Sequence, residues 1–233
     1  MPIETWLLLG GLFFLVALAY SSVGHGGASG YLAVMSLFSF APAQMAPSAL
    51  LLNLLVAGTA TVNYWRAGHF SGRLLAPFAA ASVPAAFLGG LTAVSFRLYS
   101  LLLGVVLVYG AVRLALPASG SGEESFLRPP RAALALPVGA GIGYLSGIVG
   151  VGGGIFFSPL VLLLRWADTK RTAGVSAAFI FVNSAAGLYG HLSRTQMDWR
   201  ALLPLVVAVD SVSDVDKIFR WIFSLDFSKL CLV

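Results

Sequence analysis

Val149-Gly150-Val151-Gly152-Gly153-Gly154 is the stretch on which the reading of this chain turns, and Val23-Gly24-His25-Gly26-Gly27-Ala28 is its earlier echo. A glycine in a helix interior costs about 1 kcal/mol relative to alanine, so a run this dense marks a place where a helix stops. Apolar sequence lies on both sides of each run. The break therefore falls at membrane depth, where non-helical backbone persists only if protein or a water-lined cavity satisfies its N–H and C=O groups. Such a place suits the binding of something polar.

Composition supports a membrane setting. Of 233 residues, 58% are hydrophobic and 10% charged, and the mean hydropathy is +0.90, whereas soluble domains carry about 25% charged residues. The net charge of +5 comes from basic residues scattered through short loops. That pattern orients membrane segments and argues against a nucleic-acid partner. The lone Cys231 can form no internal disulfide. With Glu4 as the only charge before the first apolar run, that run reads as a retained span rather than a cleaved leader.

Working outward from the breaks, 5–20 is a span ending at the first glycine run, and Ala28 to Phe40 is too short to cross, since a crossing needs about 20 residues. Met45 to Trp65, Leu74 to Leu91 and Leu98 to Leu116 follow as full spans. Residues 117–131, with Ser-Gly-Ser-Gly and Pro129-Pro130, form a polar linker. The pattern then restarts: Ala132 to Val149 is a span, Ile155 to Trp166 is short, and Thr172 to His191 is full-length. An offset of 126 superposes the glycine runs, and one of 128 places Ser48 on Ser176 and Arg66 on Arg194. Counting each short segment as a return gives the first unit an odd number of passages, so its copy starts on the opposite side. A cytoplasmic linker then gathers most of the loop arginines and lysines on the cytoplasmic side. The expected fold is an all-α polytopic membrane protein with two inverted repeats and glycine-broken half-helices. Its parts are a first repeat at 1–116, a linker at 117–131, an incomplete second repeat at 132–209 and a tail at 210–233. Asp210, Asp214 and Asp216 are too costly at mid-membrane. The tail accordingly reads as non-membranous, from a truncated or frame-shifted gene, or as an interfacial helix through Ile218, Trp221, Ile222 and Leu225.

No acidic residue lies in a span before Val209, so a cation site built on carboxylates is disfavoured. Helix starts at the two breaks would instead present free N–H groups and partial positive charge to an anion. Neutral donors complete the candidate site: Gly24, His25, Gly26, Gly27, Ser48 and Asn53 from the first half, and Gly150, Gly152, Gly153, Gly154, Ser176 and Asn183 from the second. Each has a plainer role available. Hydroxyls in membrane helices bond their own carbonyls, Asn joins helices, and Gly139, Gly143 and Gly147 at four-residue spacing let helices approach. His69 and His191 read as interfacial. Gly27-Ala28-Ser29-Gly30 also fits the Gly-x-Ser-Gly of intramembrane serine proteases, with His191 as the base, and a passive anion channel would need the same residues as a permease. No metal-ligand, paired-carboxylate or Walker motif occurs, and no cofactor or metal is expected.

Gly150 to Gly154 running into Phe157-Ser158-Pro159, then Ala173-Gly174-Val175-Ser176, Gly190-His191 and Asp198-Trp199, resemble the TauE/SafE sulfite exporter family over about Leu8 to Val207. The resemblance implies a multi-pass permease of the bacterial inner membrane whose partners are the lipid bilayer and a small anion, sulfite or an organosulfur anion such as a sulfonate. It implies no catalytic residues.

Overall fold

The computed structural model describes residues 3–21, 27–115 and 130–194, with 206, 207 and 209. Gly24, His25, Gly26, most of the expected linker and the tail from 210 lie outside the described residues. The described chain is helical, in the order α1 (Ile3–Ser21), α2 (Ala28–Leu37), α3 (Pro42–Arg66), α4 (Gly72–Leu91), α5 (Phe96–Ala115), α6 (Ala132–Val149), α7 (Gly154–Leu163) and α8 (Thr169–Leu192). Helices α3, α4, α6 and α8 are each long and apolar enough to cross a membrane, while α2 and α7 have ten residues apiece. Leu98, Leu101, Val105, Val108 and Val112 form an exposed stripe along α5, the surface a lipid-facing helix presents.

The repeat is written into the backbone. Gly27 (φ 77°) precedes α2 and Gly153 (φ 84°) precedes α7, 126 positions later. Both short helices end alike. Ser39 (φ 56°) and Arg165 (φ 54°), again 126 apart, take the left-handed conformation. In each case the following amide reaches back to close the last turn, Phe40 N–H to the Met35 carbonyl at 3.1 Å and Trp166 N–H to the Val161 carbonyl at 3.0 Å. This closure stops α7 at Leu163, three residues before the end expected from the apolar pattern. Ala67 and Ser193 cap α3 and α8 at the same separation of 126. The separation of 128, which would pair Ser48 with Ser176, is thus not the one the helix ends keep.

The two copies of the long helix lie directly against each other. Leu50, Asn53, Gly58 and Tyr64 of α3 meet Gly187, Ser184, Phe181 and Gly174 of α8 in turn. Partner numbers fall as α3 rises, so these equivalent helices are antiparallel, as inverted repeats require. The other large contact is parallel: Phe78, Ser82 and Ala86 of α4 meet Gly139, Gly143 and Gly147 of α6. Helix α8 joins it, with Ala86 against Gly187 and Gly90 against Gly190. Connectivity then places Arg66, Arg73, Arg131, Arg165, Lys170 and Arg171 at one end of the bundle and Arg97 and Arg194 at the other.

Two apolar cores flank this frame. One joins α1, α2, α3 and α5 around Phe13, Tyr31, Met35 and Leu52, and takes in Val206 and Val209. The other joins α4, α6, α7 and α8 around Phe78, Phe157 and Phe179, whose rings stack or meet edge to face at 4.3 and 5.0 Å.

Candidate anion site at the second glycine break

Helix α6 ends at Val149, and Gly150 (φ 88°), Gly152 (φ 76°) and Gly153 (φ 84°) turn the chain back into α7. Left-handed backbone at three of four consecutive positions excludes ordinary L side chains, which explains the glycines. Space excludes them too. A Cβ on Gly150 would lie 2.6 Å from Ala46 Cα, and one on Gly152 would lie 2.7 Å from Asn53 Nδ2 and 2.8 Å from Ser184 Oγ. The Tyr99 hydroxyl donates to the Val149 carbonyl at 3.3 Å and holds the far end of α6 against α5.

The break lies halfway along both long helices. Asn53, near the middle of α3, donates from Nδ2 to the Val151 carbonyl at 3.2 Å and to Ser184 Oγ at 3.5 Å. Asn53 and Ser184 are fully buried. Asn53 Oδ1 has no hydrogen-bond partner among the described residues, although a buried acceptor is ordinarily satisfied. Helix α7 begins beside this group, and no side chain caps its start. Its first N–H groups and the partial positive charge of a helix N-terminus therefore lie two residues along the chain from Gly152, the residue that meets Asn53 and Ser184. The donors left for a ligand are the Ser184 hydroxyl and the α7 start, since the Asn53 amide nitrogen is engaged.

The sequence-derived candidates separate here. Gly152 and Asn53 are brought together, with Ser184 and the Val151 carbonyl added. Gly150 shapes the turn against α3, and Gly154 packs on Ile180. Gly153 meets Ile142, Phe179 and Ser146 instead. Ser48 spends its hydroxyl on the Gln44 carbonyl of its own helix, at 2.5 Å. Ser176 accepts from Ser158 at 2.8 Å, locking α8 to α7. Asn183 donates to the Phe179 carbonyl at 2.8 Å, one turn back. Gly27 stands over the Tyr31 ring. His191, read from sequence as interfacial, is buried, with Nε2 2.8 Å from the Gly147 carbonyl; it ties α8 to α6 because close glycine packing brings the two helices within reach of its ring. Ser184 was hard to single out because small and apolar residues surround it on every side of α8, leaving no amphipathic pattern to say which face meets α3.

The fold and the site define a polytopic α-helical membrane protein with a polar, glycine-broken crossing at its centre. The family model described as sulfite exporter TauE/SafE matches residues 9–210, and the chain belongs to that family of membrane transporters. It is 39% identical over 192 residues to a protein of Sinorhizobium fredii (strain NBRC 101917 / NGR234) described as "Probable membrane transporter protein y4hK", covering 82% of this chain and 76% of that one. Over 83 residues it is 28% identical to "Probable membrane transporter protein YunE" of Bacillus subtilis (strain 168), covering 36% and 30% respectively. No solved structure matches.

Proposed function

We propose that this protein is a secondary permease of the bacterial inner membrane for a small sulfur oxyanion, sulfite or an organic sulfonate. The observation that carries the reading is the uncapped start of α7, set at mid-depth beside Asn53 and Ser184 where the antiparallel copies α3 and α8 cross. Anion oxygens would accept from the N–H groups of the α7 start and from the Ser184 O–H, which the Asn53 amide holds in place by donating to Ser184 Oγ and the Val151 carbonyl. Alternating access would follow from rocking one inverted unit against the other about this crossing. The end carrying Arg66, Arg131 and Lys170 would face the cytoplasm. The family name supports sulfite over other anions. Permease is favoured over intramembrane protease because His191, the base that reading names, is committed to Gly147 in the α4–α6–α8 contact while Ser29 lies on α2.

The test is radiolabelled sulfite flux in vesicles containing the protein. Gly152→Leu drives a side chain against Asn53 and Ser184, where even a Cβ would lie 2.7 and 2.8 Å from their polar atoms, and is expected to abolish saturable flux. Wild-type flux in that variant would remove the site from the second glycine break.

A further inference from the structure

The second glycine break has another polar side. Gly152 faces Asn53 and Ser184, but a Cβ on Gly153 would meet Ile142 and Phe179 at 3.0 Å and Ser146 Cβ at 3.6 Å. Ile142 and Ser146 are one turn apart on α6, and Phe179 and Asn183 are one turn apart on α8. Since α6 and α8 run the same way and Gly147 meets Gly187, Asn183 stands level with Gly143, and Ser146 lies three residues further along α6, against Gly153. Ser82 of α4 stands level with Asn183: its backbone lies against Gly143, one turn before the place where Ala86, Gly147 and Gly187 meet.

Ser82 Oγ, Ser146 Oγ and Asn183 Oδ1 are each fully buried and without a hydrogen-bond partner among the described residues. Three such oxygens from three helices within about one helical turn are unusual, because an unsatisfied buried polar group costs about 1–3 kcal/mol. The Asn183 amide nitrogen is already engaged with the Phe179 carbonyl, so Asn183 offers only an acceptor. Ser146 lies in the last turn of α6, where a helix carries partial negative charge. Uncharged oxygens at a helix C-terminus are the surroundings in which interrupted membrane helices hold Na⁺. No group of His, Cys, Asp or Glu among the described residues could hold a transition metal.

We propose that Ser82, Ser146 and Asn183 form a Na⁺ site on the α4–α6–α8 side of the second glycine break. The break then has opposite polarity on its two sides: the α6 end with three oxygens takes a cation, and the α7 start with Asn53 and Ser184 takes an anion. Two adjacent residues, Gly152 and Gly153, connect the sites, so cation binding fixes the hinge that the anion also touches. The Na⁺ site itself stands on the three oxygens. Its use as the coupling ion rests on the permease reading above.

The experiment is equilibrium binding of ²²Na⁺ to the purified full chain in nanodiscs, in choline chloride. Saturable binding displaced by unlabelled NaCl is expected. Ser146→Ala and Ser82→Ala, which remove hydroxyls without breaking a hydrogen bond, should each weaken it roughly tenfold, and Asn183→Ala should abolish it. Gly141→Ala, at a place on α6 with open space around its Cβ, should leave it intact. Absence of saturable binding, the result if only a water fills this space, overturns the site, as does wild-type binding in the two serine variants. Sulfite flux measured on the same preparations separates the two claims: flux lost without Na⁺ binding lost, or the reverse, identifies which reading fails.

Discussion

The glycines of this protein do two different things in two neighbouring regions. In the α4–α6–α8 contact, Gly139, Gly143 and Gly147 keep ordinary helical backbone and are small because Phe78, Ser82 and Ala86 carbonyls lie where their Cβ atoms would be. In the break, Gly150, Gly152 and Gly153 are glycines first because φ lies between 76° and 88°. The first set permits parallel helices to touch backbone to backbone. The second lets a helix end inside the bundle and another start there. Identical residues thus serve packing in one place and chain reversal, with its exposed N–H groups, in the other.

Substitution can separate these roles, and the largest effect belongs to the packing set. Gly147→Ala drives a methyl into the Ala86 carbonyl, and we expect it to destabilise the bundle by about 1–3 kcal/mol. Detergent thermal-shift and monodispersity measurements should show it, and a melting temperature equal to wild type would contradict the close contact. Next comes Gly152→Ala. Left-handed backbone costs an alanine about 1–2 kcal/mol, and its methyl reaches Asn53 and Ser184, so flux should fall further than stability does. Equal losses of both would mean that the two regions differ only in degree. Ser184→Ala should then reduce sulfite flux about tenfold, the effect of one lost donor to a charged ligand, with a smaller fall in melting temperature than Gly147→Ala, since only the 3.5 Å bond from Asn53 is lost. A variant with unaltered flux would take Ser184 out of the anion site. At the small end, Gly141→Ala has open space around its Cβ and should stabilise α6 by about 0.5–1 kcal/mol through helix propensity alone. If it destabilised the protein, the argument that helix glycines here are chosen by contact would need revision.

Much of the frame was legible because a membrane imposes simple rules. Runs such as Met45 to Trp65 and Thr172 to His191 are long and apolar enough to cross. The segments after each glycine run are too short to do so, and Val23-Gly24-His25-Gly26-Gly27 prefigured Val149-Gly150-Val151-Gly152-Gly153 at the separation the helix ends keep. What escaped was rotational. On helices apolar all round, nothing in the pattern tells which side of α8 meets α3, so Asn183 and its neighbour Ser184 could not be distinguished. Ser48 and Ser176 are polar and pair at a separation of 128, yet a hydroxyl in a helix can turn to its own backbone, as that of Ser48 does. His191 was read by its place near a helix end, whereas glycine packing buries it against Gly147.

The sequence by itself determined that this chain is helical, lies in a membrane, repeats and breaks at its glycines, because hydrophobic length and the cost of glycine are properties of local stretches. Only the tertiary structure decided that α3 and α8 cross antiparallel, that Asn53 and Ser184 meet at Gly152, and that Ser82, Ser146 and Asn183 fall within about one turn of each other. Those facts depend on the rotation and register of one helix against another, which are set by many small contacts between residues distant in sequence.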